Sequence, residues 1–290
     1  MTPQNTAALL RDDLNATGNT SALHLHRDRT VWLSTEPYFE EPRRCACAIN
    51  DTEVASMMTL ISLRSLAAGS VVLATITAHP PRVSGPIRLD ATTKLALTNT
   101  RAIPMKYRGR AALRLAPLPG HERDTDQEMV ALLTDTDFGN GTIDVDVVGA
   151  RRQGYATDNA SAFKGFVGIS FRVHGDSTER FYIRPENARL DDQLFRNRSA
   201  QYESDPAYPW SRLRQEAPGT YESYVDLAPG EWTHLRIEVA DAKARLYVNG
   251  ATQPSLVVND LKNGVSHGKI ALWTRISSDA YFSNLRIVPR

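Results

Sequence analysis

Residues Tyr221–Gly250 read YESYVDLAPGEWTHLRIEVADAKARLYVNG. Thr233, Leu235, Ile237 and Val239 fall on one side of an alternating run, and Ala244, Leu246 and Val248 on one side of the next. Such a period of two is what a strand with one buried face requires. Pro229-Gly230 marks the turn before the first run, and Asn249-Gly250 is a strong turn signal after the second. The same reading extends outward. Thr142 to Gly149 places Ile143, Val145 and Val147 opposite Asp144 and Asp146, and Phe166 to Val173 gathers Val167, Ile169, Phe171 and Val173. Glu179 to Arg184 sets Phe181 and Ile183 against Tyr182 and Arg184. Further runs cover Glu128–Leu133, Lys269–Trp273 and Tyr281–Val288. Ala102–Tyr107 and Ala111–Leu115 flank a tight Arg108-Gly109-Arg110 turn, and Ile87–Leu89 makes a short first run. Many short strands with almost no helical period predict an all-β fold, an antiparallel two-sheet jelly-roll sandwich.

One segment interrupts the pattern. Pro185–Thr220 (PENARLDDQLFRNRSAQYESDPAYPWSRLRQEAPGT) is long, polar and rich in arginine and aromatic residues. Loops above about 12–15 residues are usually functional or disordered. Phe195, Tyr202, Tyr208 and Trp210 supply aromatic mass that disordered chains lack. The segment is therefore read as a recognition insertion.

Composition excludes some partners. The 290 residues carry 34 Lys and Arg against 33 Asp and Glu, a formal charge of +1. No basic face is present to neutralise phosphates, so nucleic acid is not expected as a partner. Cys45 and Cys47 are the only cysteines, too few for a disulfide framework. With His24 and His26 they suggest zinc chemistry, but C-x-C departs from the usual zinc spacing, and no metal is expected there.

The segment from Met57 reads MMTLISLRSLAAGSVVLATITAHPP: Arg64, an apolar and small-residue run from Leu66 to Ala78, then His79-Pro80-Pro81. This is the pattern of a secretory signal and too short for a comfortable membrane span, so no stable span is expected. The signal reading covers residues 57–78, with translation starting at Met57 or Met58. Residues 1–56 form a poorly structured or helical extension from an over-extended start, and residues 86–290 form the domain. A buried helix packed on the sandwich is the other reading of 57–78. The protein is then secreted or periplasmic.

The phrases GTIDVDVVGAR (141–151), FYIRPENAR (181–189), YESYVDLAPGEWTHLRIEV (221–239), ARLYVNG (244–250), KIALW (269–273) and AYFSNLRI (280–287) together resemble the concanavalin A-like lectin/glucanase superfamily. The likeness is to its laminin-G-like and 3-keto-disaccharide hydrolase-type domains of bacterial exported proteins, and it covers roughly residues 86–290. It implies a two-sheet jelly roll, often with carbohydrate against the concave sheet, but no single activity. Two departures weaken an enzymatic reading. The glucanase pattern E-x-D-x-x-E is represented only by Asp144 and Asp146, and the Phe-Asn-Gly-Lys-type opening is missing before Leu89. The superfamily also often carries calcium on loops. Asp135, Asp137 and Asp279 are the oxygen-bearing positions here, with ordinary turn chemistry as the alternative. No other cofactor is implied.

Sugar recognition asks for rings that stack on a pyranose and planar polar groups that bind hydroxyls. Those residue types point to Arg184, Asn187, Arg196, Asn197, Tyr202, Trp210 and Arg212, with Glu222 and Tyr224 on the following strand. Trp210 as an edge plug, and Arg184 with Glu222 as a cross-strand ion pair, are the plainer alternatives. Trp232 and Trp273 are assigned to packing. The expected function is an exported carbohydrate-binding protein, with a glycoside or 3-keto-disaccharide hydrolase as the alternative. For hydrolysis Glu222 is the catalytic candidate, paired with Asp191, Asp192 or Glu203 at the 5–10 Å that two-carboxylate chemistry needs. His174 and His234 are the other base candidates, with His234 expected at solvent.

Overall fold

The computed structural model describes residues 85–123, 127–155 and 164–290. The expectations for residues 1–56 and for the signal at 57–78 lie outside the described residues. The strands in chain order are β1 (Leu95–Thr98), β2 (Thr100–Tyr107), β3 (Arg110–Pro117), β4 (Glu128–Phe138), β5 (Gly141–Arg151), β6 (Val167–His174) and β7 (Ser177–Ile183). They continue as β8 (Ala200–Asp205), β9 (Glu222–Ser223), β10 (Thr233–Ala240), β11 (Lys243–Val248), β12 (Leu256–Val258), β13 (Gly268–Arg275) and β14 (Ser278–Pro289). They form two seven-stranded sheets. Sheet A runs β1-β4-β13-β6-β7-β8-β9, and sheet B runs β12-β11-β10-β5-β14-β3-β2.

The alternation in sequence is the alternation in space. Ile143, Val145 and Val147 on β5 and Leu235 and Ile237 on β10 join Ile169, Phe171, Phe181, Ile183 and Leu272 of sheet A in one buried apolar cluster. The sandwich expected from the sequence is therefore what forms. Tyr107 pairs with Arg110 across a two-residue turn. Arg108 and Gly109 both have positive φ, 47° and 78°, as the right-handed strand twist favours. Asn249-Gly250 is also left-handed, at 52° and 73°, but it opens a longer connection to β12. The tight hairpin of that region is Asp241-Ala242, between Ala240 and Lys243.

The insertion differs from the expected loop. Its middle is β8, hydrogen-bonded between β7 and β9. A 3₁₀ turn (Asn187–Arg189) and a short helix α1 (Gln193–Arg196) precede it, and helix α2 (Trp210–Glu216) follows. On β8, Ala200 and Tyr202 face the core while Gln201 and Glu203 face outward with the polar groups of β7. Tyr202, expected on a ligand surface, is 0 % exposed. Its hydroxyl donates to Glu179 and accepts from the backbone N–H of Lys262 at 2.9 Å. A buried phenol needs such partners, and the strand's period put the ring inside.

The oxygens considered for calcium have partners within the chain. Asp135 pairs with Lys94 at 3.0 Å, Asp137 with His267 at 2.8 Å and Asp279 with Arg114 at 2.6 Å. Arg172 sits at a bulge in β6 with φ of 53°. Its guanidinium donates to the carbonyls of Gly139, Asp241 and Gly264 and to Oδ1 of Asn140. His234 faces outward as expected, but Asp146 Oδ1 lies 2.8 Å from its Nδ1.

Candidate functional site: the outer face of sheet A

The outward positions of sheet A hold polar groups of a kind rarely buried. β7 sets Phe181 and Ile183 in the core, so Arg180, Tyr182 and Arg184 point the other way. β8 lies beside it with Glu203 directly opposite Arg180 and Gln201 opposite Tyr182. Glu222 on β9 lies opposite Gln201. This register makes the charge pairs, because side chains facing each other on neighbouring strands are in reach.

Arg180 is the centre of the site. Its Nη1 lies 2.5 Å from Glu203, 3.0 Å from Glu128 and 3.1 Å from Asp205. Its Nη2 donates to the second Glu128 oxygen at 3.2 Å, and its Nε to Ser170 Oγ at 3.0 Å. The three carboxylates bring oxygens within 4.8 Å of one another. Burial raises the pKa of Glu203 and of Asp205, and Arg180 pulls both back without cancelling the rise. Burial opposes the charge on Arg180, but the surrounding carboxylates outweigh it and hold the guanidinium pKa up. Arg184 also draws the Glu203 value down and Arg275 that of Asp205, and the rise from burial still wins. Glu203 is sealed, whereas the Asp205 side chain is 27 % exposed and that of Glu128 36 %.

Under this cluster lies an aromatic floor. Gly168 of β6 is the register partner of both Trp273 and Tyr182. A Cβ there would stand 2.5 Å from Cβ of Tyr182 and 2.3 Å from the Phe181 carbonyl oxygen. With no side chain between them, Tyr182 and Trp273 meet at 4.9 Å. Phe166 closes the group at 6.1 and 6.3 Å. The Arg180 guanidinium lies 4.4 Å from the centre of the Trp273 ring, a cation–π contact. Trp273 does pack, as expected, but on this outer face and not in the central core.

A polar chain joins the cluster to the insertion. Arg184 donates to Tyr182 Oη at 2.8 Å and, from both terminal nitrogens, to Gln201 Oε1 at 3.3 Å. Arg214 of α2 reaches the same Gln201 oxygen at 3.4 Å and grips both oxygens of Glu222. Arg198 adds a contact to Glu222 at 3.5 Å. The backbone N–H of Trp210 donates to Glu203 Oε2 at 3.3 Å, and the Arg214 guanidinium lies 4.7 Å from the Trp210 ring centre. Burial pushes the Tyr182 phenol well above its ordinary range.

The residues singled out in the sequence are thus distributed unevenly. Arg184 belongs to the network, and its partners are Tyr182, Gln201 and the Arg198 carbonyl. It is not ion-paired with Glu222, whose partners are Arg214 and Arg198. Asn187 is buried and donates to the Arg198 carbonyl at 3.4 Å. Trp210 and Tyr224 are exposed, and Arg196 lies over Tyr224 and donates to its hydroxyl at 3.2 Å. Asn197 accepts from Gln193, and Arg212 pairs with Glu216 while lying over Tyr208. These last two are occupied locally. Arg180, Glu128, Asp205, Tyr182, Gln201 and Arg214 were missed as members of the site. For Arg180, Tyr182, Gln201 and Asp205 the signal is the outward half of Ser177–Ile183 and Ala200–Asp205; Glu128 on β4 and Arg214 on α2 carry none.

The two seven-stranded antiparallel sheets make a jelly-roll sandwich of the concanavalin A-like class. The family model described as a 3-keto-alpha-glucoside-1,2-lyase-like domain matches residues 113–288, and the chain belongs to that family. No curated protein matches the chain. Among solved structures it is similar to the carbohydrate-binding module CBM66 from Bacillus subtilis, at 12 % identity and a TM-score of 0.41, covering 65 % of this chain and 92 % of that one. A galectin-like-fold protein from Bacillus subtilis matches at 10 % identity and 0.43, over 68 % and 90 % of the two chains. A putative glycosyl hydrolase from Parabacteroides distasonis matches at 13 % and 0.40, over 66 % and 94 %.

Proposed function

We propose that this chain binds a glycoside on the outer face of sheet A and acts on 3-keto-α-glucosides by 1,2-elimination. The observation that carries the reading is the Arg180 cluster, in which two acids of raised pKa stand beside a third over an aromatic floor. The family's description supplies the substrate class.

A ketone at C3 acidifies the proton on C2. A carboxylate whose pKa lies nearer neutrality is suited to remove it. The C1–O bond then breaks, its electrons leave with the aglycone oxygen, and the C2–H electrons form a C1=C2 double bond conjugated to the ketone. The aglycone oxygen takes up a proton. Asp205 is the group assigned to the C2 proton, because it combines a raised pKa with an open side. Glu203 shares the Arg180 nitrogen with it and sets its charge. Trp210 and Tyr224, both exposed, and Arg196, which lies over Tyr224, are assigned to the rest of the sugar. Glu222, bound by two arginines, is assigned to holding Arg214 and Arg198. Export is part of the reading and rests on the sequence at 57–78. No helix among the described residues is long and apolar enough to cross a membrane.

The test is incubation with a panel of 3-keto-α-glucosides, following aglycone release and the ultraviolet absorbance of the conjugated enone. Asp205→Asn is expected to lower turnover about 10²–10⁴-fold while saturable binding of substrate persists. Binding without turnover in the parent chain would reduce the protein to a glycan-binding module. Neither binding nor turnover would overturn the reading.

A further inference from the structure

We propose that His174 and His267 bind a divalent transition-metal ion of the zinc, cobalt and nickel class at one end of sheet A. This site is separate from the Arg180 cluster and does not depend on its function.

The topology brings the residues together. His174 is the last residue of β6, His267 immediately precedes β13, and Asp137 is the penultimate residue of β4. β13 pairs with both neighbours there, Lys269 opposite Val173 and Gly268 opposite Phe138. Both histidines line the same two cavities, of about 390 and 480 Å³. Neither has a role in the sandwich core.

His267 is prepared as a ligand. Its Nδ1 lies 2.8 Å from Asp137 Oδ1. A carboxylate in that position accepts the Nδ1–H, fixes the tautomer and leaves Nε2 with a lone pair. The same carboxylate–histidine arrangement orients imidazoles at metal sites in general. Asn263 and Ser266 also line the smaller cavity, beside His174 and His267. Arg172 also lines this cavity, but its guanidinium is already spent on three carbonyls and the Asn140 side chain. Two imidazoles select borderline ions, whereas calcium and magnesium demand all-oxygen sites.

The experiment is equilibrium dialysis of the full, tag-free chain against Co²⁺ and Zn²⁺, with the Co²⁺ absorption spectrum as a second readout. One equivalent is expected per chain. It should be lost in His174→Ala and in His267→Ala, and weakened about 10–100-fold in Asp137→Asn. Both histidines are at the surface, so thermal unfolding of the metal-free variants should match the parent. Cys45→Ser/Cys47→Ser should bind as the parent does. Retention of the equivalent in the double histidine variant, its loss in the double cysteine variant, or no uptake at millimolar metal would each overturn the proposal.

Discussion

Arg180 and Glu203 face each other across β7 and β8, 2.5 Å apart, with side chains only 3 % and 4 % exposed. A buried pair of this kind gains little over an apolar pair of the same shape, but removing one partner strands the other. Arg180→Ala should therefore cost about 3–5 kcal/mol of unfolding free energy. Arg180→Ala combined with Glu203→Gln should recover part of that loss. Urea denaturation of the set, with Glu203→Gln alone as the fourth corner, measures it, and a double-variant cost equal to the sum of the two single costs would show that the pair is not coupled.

Glu203, Asp205 and Glu179 all have pKa values raised by burial. The folded state then holds these protons more tightly than the unfolded chain. Their contribution to stability is full below the ordinary carboxylate value of about 4 and is lost as pH rises through the folded values. Stability measured by denaturant midpoints should accordingly drift downward as pH rises from about 4.5. The combined Glu203→Gln and Asp205→Asn variant should flatten that slope. A slope identical to the parent's would contradict the assignment.

Tyr202→Phe removes the hydroxyl that ties Glu179 to the loop carrying Lys262. The cost should be about 1–3 kcal/mol, because a buried carboxylate and an N–H each lose a partner. Ligand affinity should be unchanged, since the ring lies inside the sandwich. A variant of parental stability that no longer binds sugar would reverse that placement.

Gly168→Ala inserts a methyl group against the Phe181 carbonyl and the base of Tyr182. Overpacking should cost about 1–3 kcal/mol and spread β6 from β7. Because Tyr182 and Trp273 meet over this glycine, the change should also shift near-ultraviolet circular dichroism and weaken substrate binding. Parental spectra and affinity would show that the floor tolerates the extra carbon.

The sandwich was legible because β10, and β5 from Thr142 to Val147, alternate apolar and polar residues as one buried face demands. β1 and β12 escaped notice. β1 is a four-residue strand paired only with β4, its side chains mostly at solvent, and β12 spans three residues. β8 was hidden for another reason. In Ala200–Asp205 the inward positions are Ala, Tyr and Ser and the outward ones Gln, Glu and Asp, so no apolar stripe appears. The outward residues are polar because Arg180, Arg184 and Arg214 meet them, and those contacts come from other strands or from α2. Trp210 was singled out from its place in the insertion, with an edge plug as the alternative, and Tyr224 from the strand that follows; both rings are exposed. Asn197 and Arg212 offered the same chemistry in sequence, but neighbours four residues away satisfy them.

The lodging of β8 between β7 and β9 changes how this molecule could be trimmed or retargeted. An engineer would take residues 185–220 for a dispensable ornament and excise them, but doing so would unzip the margin of a sheet and leave β9 without a neighbour. Diversity libraries belong on α1, on the outer flank of α2 and at Tyr224, where side chains can change without disturbing a hydrogen-bonded ladder. Residues 200–205 are masonry for any new specificity built there.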